Sequence, residues 1–267
     1  MLQFKTWFAC ALIIILIFTM AGCNTTQQKN DEEVSAANEE TKSLLVYSGA
    51  GLRKPMDEIG KIFQEKYNVE VQYTYGGSAQ LLSQIELSGK GDVFIPGSAF
   101  YYEEADQKGL VDERHHVAYH IPVIVVSKDN PKDIKRIEDL GKEDVKLVLG
   151  DEKACAIGKV SKKMLEKNEL YDQVTKNRVA STATVNELLI YITMKQADAT
   201  IMWEDNVEGV EDVEIVAIPE EKNDIKTIPI ATVKNSSNKD LAQNFVDFVV
   251  SHEGKNIFQK YGFKTID

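Results

Sequence analysis

Short apolar runs alternate with segments of helical periodicity from Ser43 to the end of the chain. The apolar runs expected to form strands are 44–47, 69–73, 92–95, 121–126, 146–149, 178–180, 200–202 and 228–233. Between them lie expected helices at 52–67, 79–87, 101–108, 158–167, 185–195, 241–250 and 254–261. The first helix has apolar residues at helical spacing: Met56, Ile59, Phe63 and Tyr67. Strands that alternate with helices predict an α/β fold with largely parallel sheets.

The strand and helix units fall into two series, separated by a lone all-apolar strand. We therefore expect two lobes joined by two crossings of the chain, with hinge segments near 121–124 and 227–230. The first lobe would comprise residues 43–120 and 229–267, and the second lobe residues 121–228. Ligands of open α/β sheets bind beyond the carboxyl ends of the strands, so the cleft between the lobes is the expected binding site.

The first 22 residues have the pattern of a secretory signal peptide. Lys5 precedes an apolar run at 7–20, which is shorter than the roughly 20 residues of a membrane-spanning helix. The segment that ends in Ala21-Gly22-Cys23 resembles a bacterial lipobox, in which the cysteine thiol is acylated. We predict cleavage before Cys23 and an extracytoplasmic protein that a lipid holds at the cell membrane. The alternative is a soluble protein that keeps an uncleaved apolar helix.

The polar segment 23–42 has only Val34 as a sizeable apolar residue, so we expect a disordered tether.

The three cysteines have different expected fates. Cys10 would be removed with the signal peptide and Cys23 would carry the lipid, which leaves Cys155 without a disulfide partner. Cys155 is therefore expected to be a small buried residue.

The chain has an acidic charge balance that excludes one class of partner. Its 267 residues include 31 Lys and Arg against 42 Asp and Glu, a formal charge of −11. Recognition of a polyphosphate begins with clustered Lys and Arg, and no stretch here is basic enough, so we expect no nucleic-acid binding. A small anion held by neutral donors is still compatible with this charge.

Four loops that join a strand to a helix are rich in small residues: 48–52, 75–79, 150–158 and 181–185. Small residues let backbone N–H groups approach a ligand, and helix N-termini favour anions. Thr182 or Thr184 is positioned to cap the helix that follows the last loop. The first two loops match neither the phosphate-binding P-loop nor the G-x-G-x-x-G dinucleotide motif. The four loops therefore suggest a small-anion site.

The order of these motifs resembles the periplasmic molybdate- and tungstate-binding proteins of ABC importers. The segments that carry the resemblance are 48–52, 75–86, 91–96, 148–158, 180–186, 200–203 and 257–263. The resemblance implies a type II periplasmic-binding-protein fold, in which each lobe is a mixed sheet flanked by helices. It also implies a monomer without enzymatic activity or cofactor, which delivers molybdate, tungstate or another small anion to ABC permease subunits.

Carried onto this sequence, the resemblance implies a ligand held by hydroxyl groups and backbone amides. The implied ligand-binding residues are Ser48, Gly49, Ala50, Gly51, Gly77, Ser78, Ile157, Val185 and Trp203. Direct contacts to the metal-centred oxyanion fall on Ser78, Gly51, Ile157, Val185 and Trp203. The family's first-loop hydroxyl falls on Gly51, which has none. Ser48, or amides of the first loop alone, would have to replace it.

Two carboxylates directly follow Trp203 and allow three interpretations. Glu204 and Asp205 would repel an anion, or would ligate the metal centre through additional oxygens, as in some tungstate-selective relatives. The interpretation we favour is that they begin a helix and point away from the ligand, because acidic groups stabilise a helix N-terminus.

Two other functions fit parts of the sequence. A serine hydrolase would use Ser78 as its nucleophile, but the closing glycine of the G-x-S-x-G motif is missing. A divalent-metal carrier would draw its ligands from His116, His120, Glu204 and Asp205. Surface or helix-cap roles are instead expected for the four histidines His115, His116, His120 and His252.

Overall fold

The computed structural model describes residues 42–266. The predicted signal peptide, the acylation of Cys23 and most of the tether lie outside the described residues. Within the part that is described, no helix is long and apolar enough to cross a membrane.

The described chain forms eleven strands and eight α-helices. Strands β1 to β11 span Lys42–Gly49, Val69–Gly76, Val93–Ile95, His115–His120, Pro122–Ser127, Leu147–Gly150, Arg178–Thr182, Ala199–Trp203, Val213–Ala217, Lys226–Thr232 and Lys264–Thr265. Helices α1 to α8 span Arg53–Tyr67, Ser78–Ser88, Ala99–Gln107, Ala156–Lys167, Tyr171–Thr175, Val185–Thr193, Lys239–Val250 and His252–Lys260. Short 3-10 turns occupy Ala50–Leu52, Ile137–Gly141, Glu204–Val207 and Glu220–Lys222.

The strands form two sheets, one in each lobe. The first sheet has the order β11-β4-β10-β3-β1-β2 and the second has the order β7-β6-β8-β5-β9. Strands β1, β2 and β3 run parallel, as do β6, β7 and β8, and helices connect the members of each set. The carboxyl ends of β1, β2, β6, β7 and β8 lead into the loops that surround the cleft.

Both sheets are mixed, which confirms the fold that the resemblance implies, whereas the largely parallel sheets expected from the strand and helix pattern are wrong. Strand β10 pairs antiparallel with β3 and β4, β11 with β4, and β5 with β8 and β9. Each sheet therefore combines a parallel set of strands with strands that run in the opposite direction. Four elements were not predicted, because they lack an uninterrupted apolar or periodic run: strands β4, β9 and β11 and helix α5.

Helix α1 follows its predicted pattern and anchors the core of the first lobe. Met56, Ile59 and Phe63 are fully buried, and the ring centroid of Phe63 lies 5.0 Å from that of Phe245 in α7. The helix ends at Asn68, which adopts the left-handed conformation at φ 52°. This helix and α7 cover one face of the first sheet and leave its strand ends free for the cleft.

Two segments connect the lobes. Ile121 alone separates β4 from β5, and the return path runs between β9 and β10. Asn223 ties the two crossings together, since its Nδ2 donates to the carbonyl oxygens of Pro122 at 2.9 Å and Ile218 at 3.3 Å. Strand β10 pairs with β4 from Lys226 onward. The lobe boundaries expected at 120/121 and 228/229 stay predictions.

Candidate functional site

A small cavity lies between the lobes, where several helices begin. Its volume is about 20 Å³, enough for one or two water-sized groups and too small for an organic substrate. The first lobe contributes the 3-10 turn before α1 and the start of α2, and the second contributes the starts of α4 and α6. The lining residues are Gly49, Ala50, Gly51, Leu52, Gly76, Gly77, Ser78, Gly97, His120, Cys155, Ala156, Ile157, Thr184, Val185 and Trp203.

The helix N-termini at the cavity have no side-chain caps. In the turn at Ala50–Leu52 and in α2, α4 and α6, the residue before the first helical residue makes no side-chain capping hydrogen bond. The first N–H groups of a helix have no intrahelical acceptor, and the helix dipole makes that end positive. The residues that carry these amides line the cavity, which is therefore a positive, donor-rich site without any formal charge from Lys or Arg.

The predicted caps at α6 do not form. Thr182 Oγ1 donates to the carbonyl oxygen of Thr184 at 2.9 Å, and Thr184 Oγ1 donates to Glu187 Oε1 at 2.9 Å. Both hydroxyls are occupied by these local contacts and neither accepts a hydrogen bond from a helix amide. The consequence is that the first amides of α6 stay available to a ligand.

Ser78 supplies a hydroxyl to the cavity. Its side chain is buried, and its Oγ accepts a hydrogen bond from the backbone N–H of Gly97 at 3.1 Å. Because that contact uses a lone pair, the hydroxyl proton remains free to donate. Ser78 lines the cavity, and its role as a ligand donor stays a prediction.

Gly51, the departure from the family pattern, lies against the second lobe. A Cβ atom at this position would lie 2.8 Å from Asn206 Oδ1 and 2.9 Å from a methyl of Val185. Asn206 Nδ2 donates to the carbonyl oxygen of Gly51 at 2.9 Å. The space that a hydroxyl-bearing side chain would need is thus filled by residues of the other lobe, and Gly51 permits that close approach.

Trp203 and His120 form one wall of the cavity. The two rings are stacked, with centroids 4.4 Å apart and an interplanar angle of 14°. His120 ends β4 in the first lobe, whereas Trp203 ends β8 in the second, so the stack bridges the lobes. His120 Nδ1 lies 2.8 Å from the Gly97 carbonyl oxygen, and Nε2 lies 3.6 Å from Asp205 Oδ2. The expected surface or helix-cap role of His120 is wrong, because the side chain is only 1% exposed.

The carboxylates after Trp203 begin a 3-10 turn, as the favoured interpretation predicts. Glu204 pairs with Lys264 at 3.0 Å, and Asp205 is buried beside His120. No Asp or Glu of the described residues lines the cavity. The lining therefore offers no carboxylate ligand to a metal centre or cation.

Cys155 is buried, as predicted, whereas its position in the cavity lining was not predicted. It is the residue just before α4, and it is a free thiol. Burial raises the pKa of the Cys155 thiol to about 11, so the sulfur is uncharged at neutral pH and does not repel an anion.

The other histidines do not assemble into a metal site. His116 and His120 lie four residues apart on one strand, which separates them by roughly 13 Å. Their side chains cannot share one ion. His252 is exposed at the start of α8, as expected for a surface residue. In residues 42–266, no group of three or more His, Cys, Asp and Glu is arranged to hold a metal ion.

The structure brings together every predicted ligand-binding residue except Ser48. Ser48 is fully buried in β1, and its Oγ makes a long 3.4 Å contact with the Gly49 carbonyl oxygen. Sequence reasoning missed the cavity positions of Gly97, His120 and Cys155. Only Gly97 carried a usable signal, because it lies two residues after β3, in a loop that leads from a strand into a helix like the other loops.

Comparison with protein families gives one matching family model. The model describes bacterial extracellular solute-binding proteins, and it matches residues 44–264. A Bacillus subtilis protein whose assigned name is ABC transporter substrate-binding lipoprotein YvgL is 26% identical over 263 residues, covering 96% of this chain and 96% of its own length. The molybdate-binding protein ModA of Mycobacterium tuberculosis is 25% identical, covering 83% of this chain and 84% of its own length.

A solved structure with a similar fold is the sulfate-binding protein SubI from Mycobacterium tuberculosis. It is 16% identical, and the match covers 85% of this chain and 88% of that chain with a TM-score of 0.76. The likeness shows a shared two-lobed α/β fold.

Proposed function

The chain belongs to the family of bacterial extracellular solute-binding proteins, and we propose that it captures a tetrahedral oxyanion, molybdate or tungstate, in its interlobe cavity. The captured ion would then pass to the transmembrane subunits of an ABC permease. In this proposal the protein acts as a monomer that binds and releases its ligand without catalysing a reaction.

The observation that carries the proposal is the set of uncapped helix N-termini from both lobes around one small cavity. The proposed donors are the Ser78 hydroxyl, the Trp203 indole N–H and the amides of Gly51, Ile157 and Val185. Such donors suit an anion that carries no proton of its own, and the absence of carboxylates from the described lining disfavours a cation. The cavity volume of about 20 Å³ disfavours a larger organic ligand.

Among oxyanions, the relatives favour molybdate, and the motif resemblance adds tungstate. The motif order resembles molybdate- and tungstate-binding proteins, and the Mycobacterium tuberculosis relative carries molybdate in its name. The Bacillus subtilis relative, whose match covers 96% of this chain, is named a lipoprotein. That name supports acylation of Cys23 and a tether that holds the binding domain near a membrane-bound permease.

Catalysis by the cavity residues is not favoured by their geometry. Ser78, His120 and Asp205 lie near one another, but the contacts are not those of a hydrolase triad. Both ring nitrogens of His120 are directed elsewhere, Nδ1 to the Gly97 carbonyl and Nε2 toward Asp205. No base therefore contacts the Ser78 hydroxyl among the described residues.

Thermal denaturation with different ions tests the proposal. A ligand at 100 times its Kd stabilises a protein by about 2.7 kcal/mol, which for a domain of this size raises the Tm by roughly 5–10 °C. We expect that rise with molybdate or tungstate and little or none with phosphate or a divalent cation. A rise with sulfate alone would change the assigned ligand, and a rise with a cation alone would refute oxyanion binding.

The asparagine that bridges the lobes has an expected effect on affinity. Asn206→Ala removes the hydrogen bond to the Gly51 carbonyl and leaves that oxygen without its partner. At about 1 kcal/mol per hydrogen bond, molybdate should bind about fivefold more weakly in isothermal titration calorimetry. Asn186→Ala is the matched control, because Asn186 is exposed and makes a similar interlobe bond to Ala50 at 3.1 Å. An equal loss in both variants would contradict a special role for Asn206.

A further inference from the structure

We propose that His120 and Asp205 form a proton-binding pair that couples anion capture to the uptake of a proton. This inference rests on the proposed function and names a regulation of the same cavity. The anion would bind most tightly when the His120 ring is an imidazolium ion, and its affinity would fall as the pH rises.

The pair joins the two lobes beside the cavity. His120 is the last residue of β4 and Asp205 lies in the 3-10 turn after β8, so one group belongs to each lobe. The residues are 1% and 7% exposed, and His120 Nε2 lies 3.6 Å from Asp205 Oδ2. Both residues lie next to the crossing at Ile121, whose carbonyl oxygen accepts a hydrogen bond from the N–H of Glu204 at 2.9 Å, so the pair lies on the hinge side of the cavity.

The hydrogen bonds around the ring determine where its protons lie. A carbonyl oxygen only accepts, so the 2.8 Å contact with Gly97 places a proton on Nδ1. A neutral ring would then direct the lone pair of Nε2 at the carboxylate of Asp205. Nε2 is buried and has no hydrogen-bond partner among the described residues. A second proton on Nε2 removes this acceptor–acceptor contact and gives an ion pair.

The hydrogen bond between Asp205 and Asn206 does not remove the contact between two acceptors. Asp205 Oδ2 already accepts a hydrogen bond from Asn206 Nδ2 at 2.9 Å, so this oxygen is already used as an acceptor. Asn206 also donates to the Gly51 carbonyl, so its amide nitrogen must face both oxygens. The proton that the pair needs is therefore held by the imidazole of His120.

A positive ring is also well placed to act on the ligand. His120 lines the cavity and stacks on Trp203, a proposed ligand donor. The electrostatic attraction between an imidazolium ion and an anion is stronger in a buried site than in water, because the low dielectric weakens screening. Protonation of the ring adds one positive charge beside a lining that has no Lys or Arg and offsets the carboxylate of Asp205. By linkage, the free energy by which protonation of the ring strengthens anion binding equals the free energy by which the bound anion strengthens protonation of the ring.

The other charged groups near the ring are already paired. Lys226 lies opposite His120 on β10, and its Nζ donates to Asp224 at 2.6 Å. Lys264, on β11, pairs with Glu204 at 3.0 Å. The remaining neighbours are Phe263, whose ring stacks on His120, and the uncharged thiol of Cys155 across the cavity.

Other titratable groups of the same strand differ from His120. His115 and His116 are half-buried and lie outside the cavity lining, toward Arg114. Burial and the nearby Arg114 lower the pKa of His116 and favour its neutral form. Asp205 is thus the one carboxylate within 4 Å of a ring nitrogen of His120 among the described residues.

Calorimetry of the full chain with molybdate tests the proposal. Titrations in buffers of different ionisation enthalpy count the protons taken up, and titrations from about pH 6.5 to 8.5 follow the affinity across the range where histidine ordinarily titrates. We expect uptake of up to about one proton per anion, and an affinity that falls by up to about tenfold per pH unit at the alkaline end.

Three variants separate the pair from its surroundings. His120→Gln and the isosteric Asp205→Asn should both remove the proton uptake and flatten the pH profile, while circular dichroism verifies folding. His252→Gln, at an exposed site, should keep the proton uptake of the natural protein. Asp205→Asn also serves as the second test if His120→Gln fails to fold.

The outcomes distinguish this inference from the function on which it rests. Molybdate binding without proton uptake, or a pH profile that survives in His120→Gln and Asp205→Asn, overturns the proton linkage alone. Failure of molybdate, tungstate and sulfate to bind at any pH overturns the proposed function, and the linkage with it.

Discussion

Gly77→Ala is expected to weaken molybdate binding by about 100-fold while each lobe stays folded. The added methyl group would lie 2.6 Å from the carbonyl oxygen of Ala183 and 2.7 Å from that of Ala154, both in the second lobe. Overpacking costs about 1–3 kcal/mol, and backbone carbonyls cannot rotate away as a side chain can, so we expect the upper part of that range. Calorimetry measures the affinity, and small-angle scattering should show lobes that stay apart when ligand is added.

Gly76→Ala is the matched control for this prediction. Gly76 directly precedes Gly77, but an added methyl group there would meet only side-chain ends, Gln80 Oε1 at 3.2 Å and a methyl of Leu81 at 3.4 Å. Its affinity should stay within a few-fold of the natural protein. Equal losses in the two variants would indicate a general sensitivity of the loop, and full affinity in Gly77→Ala would show that the ligand-bound state is more open than this structure.

Ser78→Ala is expected to weaken molybdate binding by roughly 10- to 150-fold. The hydroxyl is the one side-chain O–H that α2 places in the cavity, and a hydrogen bond to a charged partner contributes about 1.5–3 kcal/mol. The variant also removes the acceptor of the buried Gly97 N–H, so the unliganded protein should lose some stability. Calorimetry and thermal denaturation without ligand measure the two effects separately.

Ser83→Ala provides the comparison on the same helix. Ser83 is exposed and lies outside the cavity, so affinity and Tm should both be unchanged. A bulky residue at position 78 should abolish the ligand-induced Tm shift altogether. If a bulky side chain there leaves the affinity intact, the ligand does not bind in this cavity.

Much of the fold could be predicted from local sequence patterns. Met56, Ile59 and Phe63 recur at helical spacing, and all three are buried under the first sheet. The four small-residue loops were also predictable, because glycine and serine at a strand-to-helix junction have a local backbone role that composition reveals. Strand direction was less accessible, since β4 and β10 pair through residues that are distant in sequence.

The candidate site was predicted in part for the same reason. Ser78 and Val185 begin helices whose starts can be located from local sequence, and both line the cavity. His120 could not be located in this way, because its role depends on Trp203 and Asp205 from the other lobe. The expected threonine caps failed because Glu187 and a local carbonyl take the hydroxyls instead.

The sequence by itself determined the two series of strands and helices, the small-residue loops and the absence of a basic cluster near them. These features depend on the local periodicity and conformational preferences of neighbouring residues. The tertiary structure decided which loops meet, that the second lobe fills the space beside Gly51, and that His120 faces Asp205. Those contacts join residues of two lobes, and no local pattern encodes the distance across a cleft.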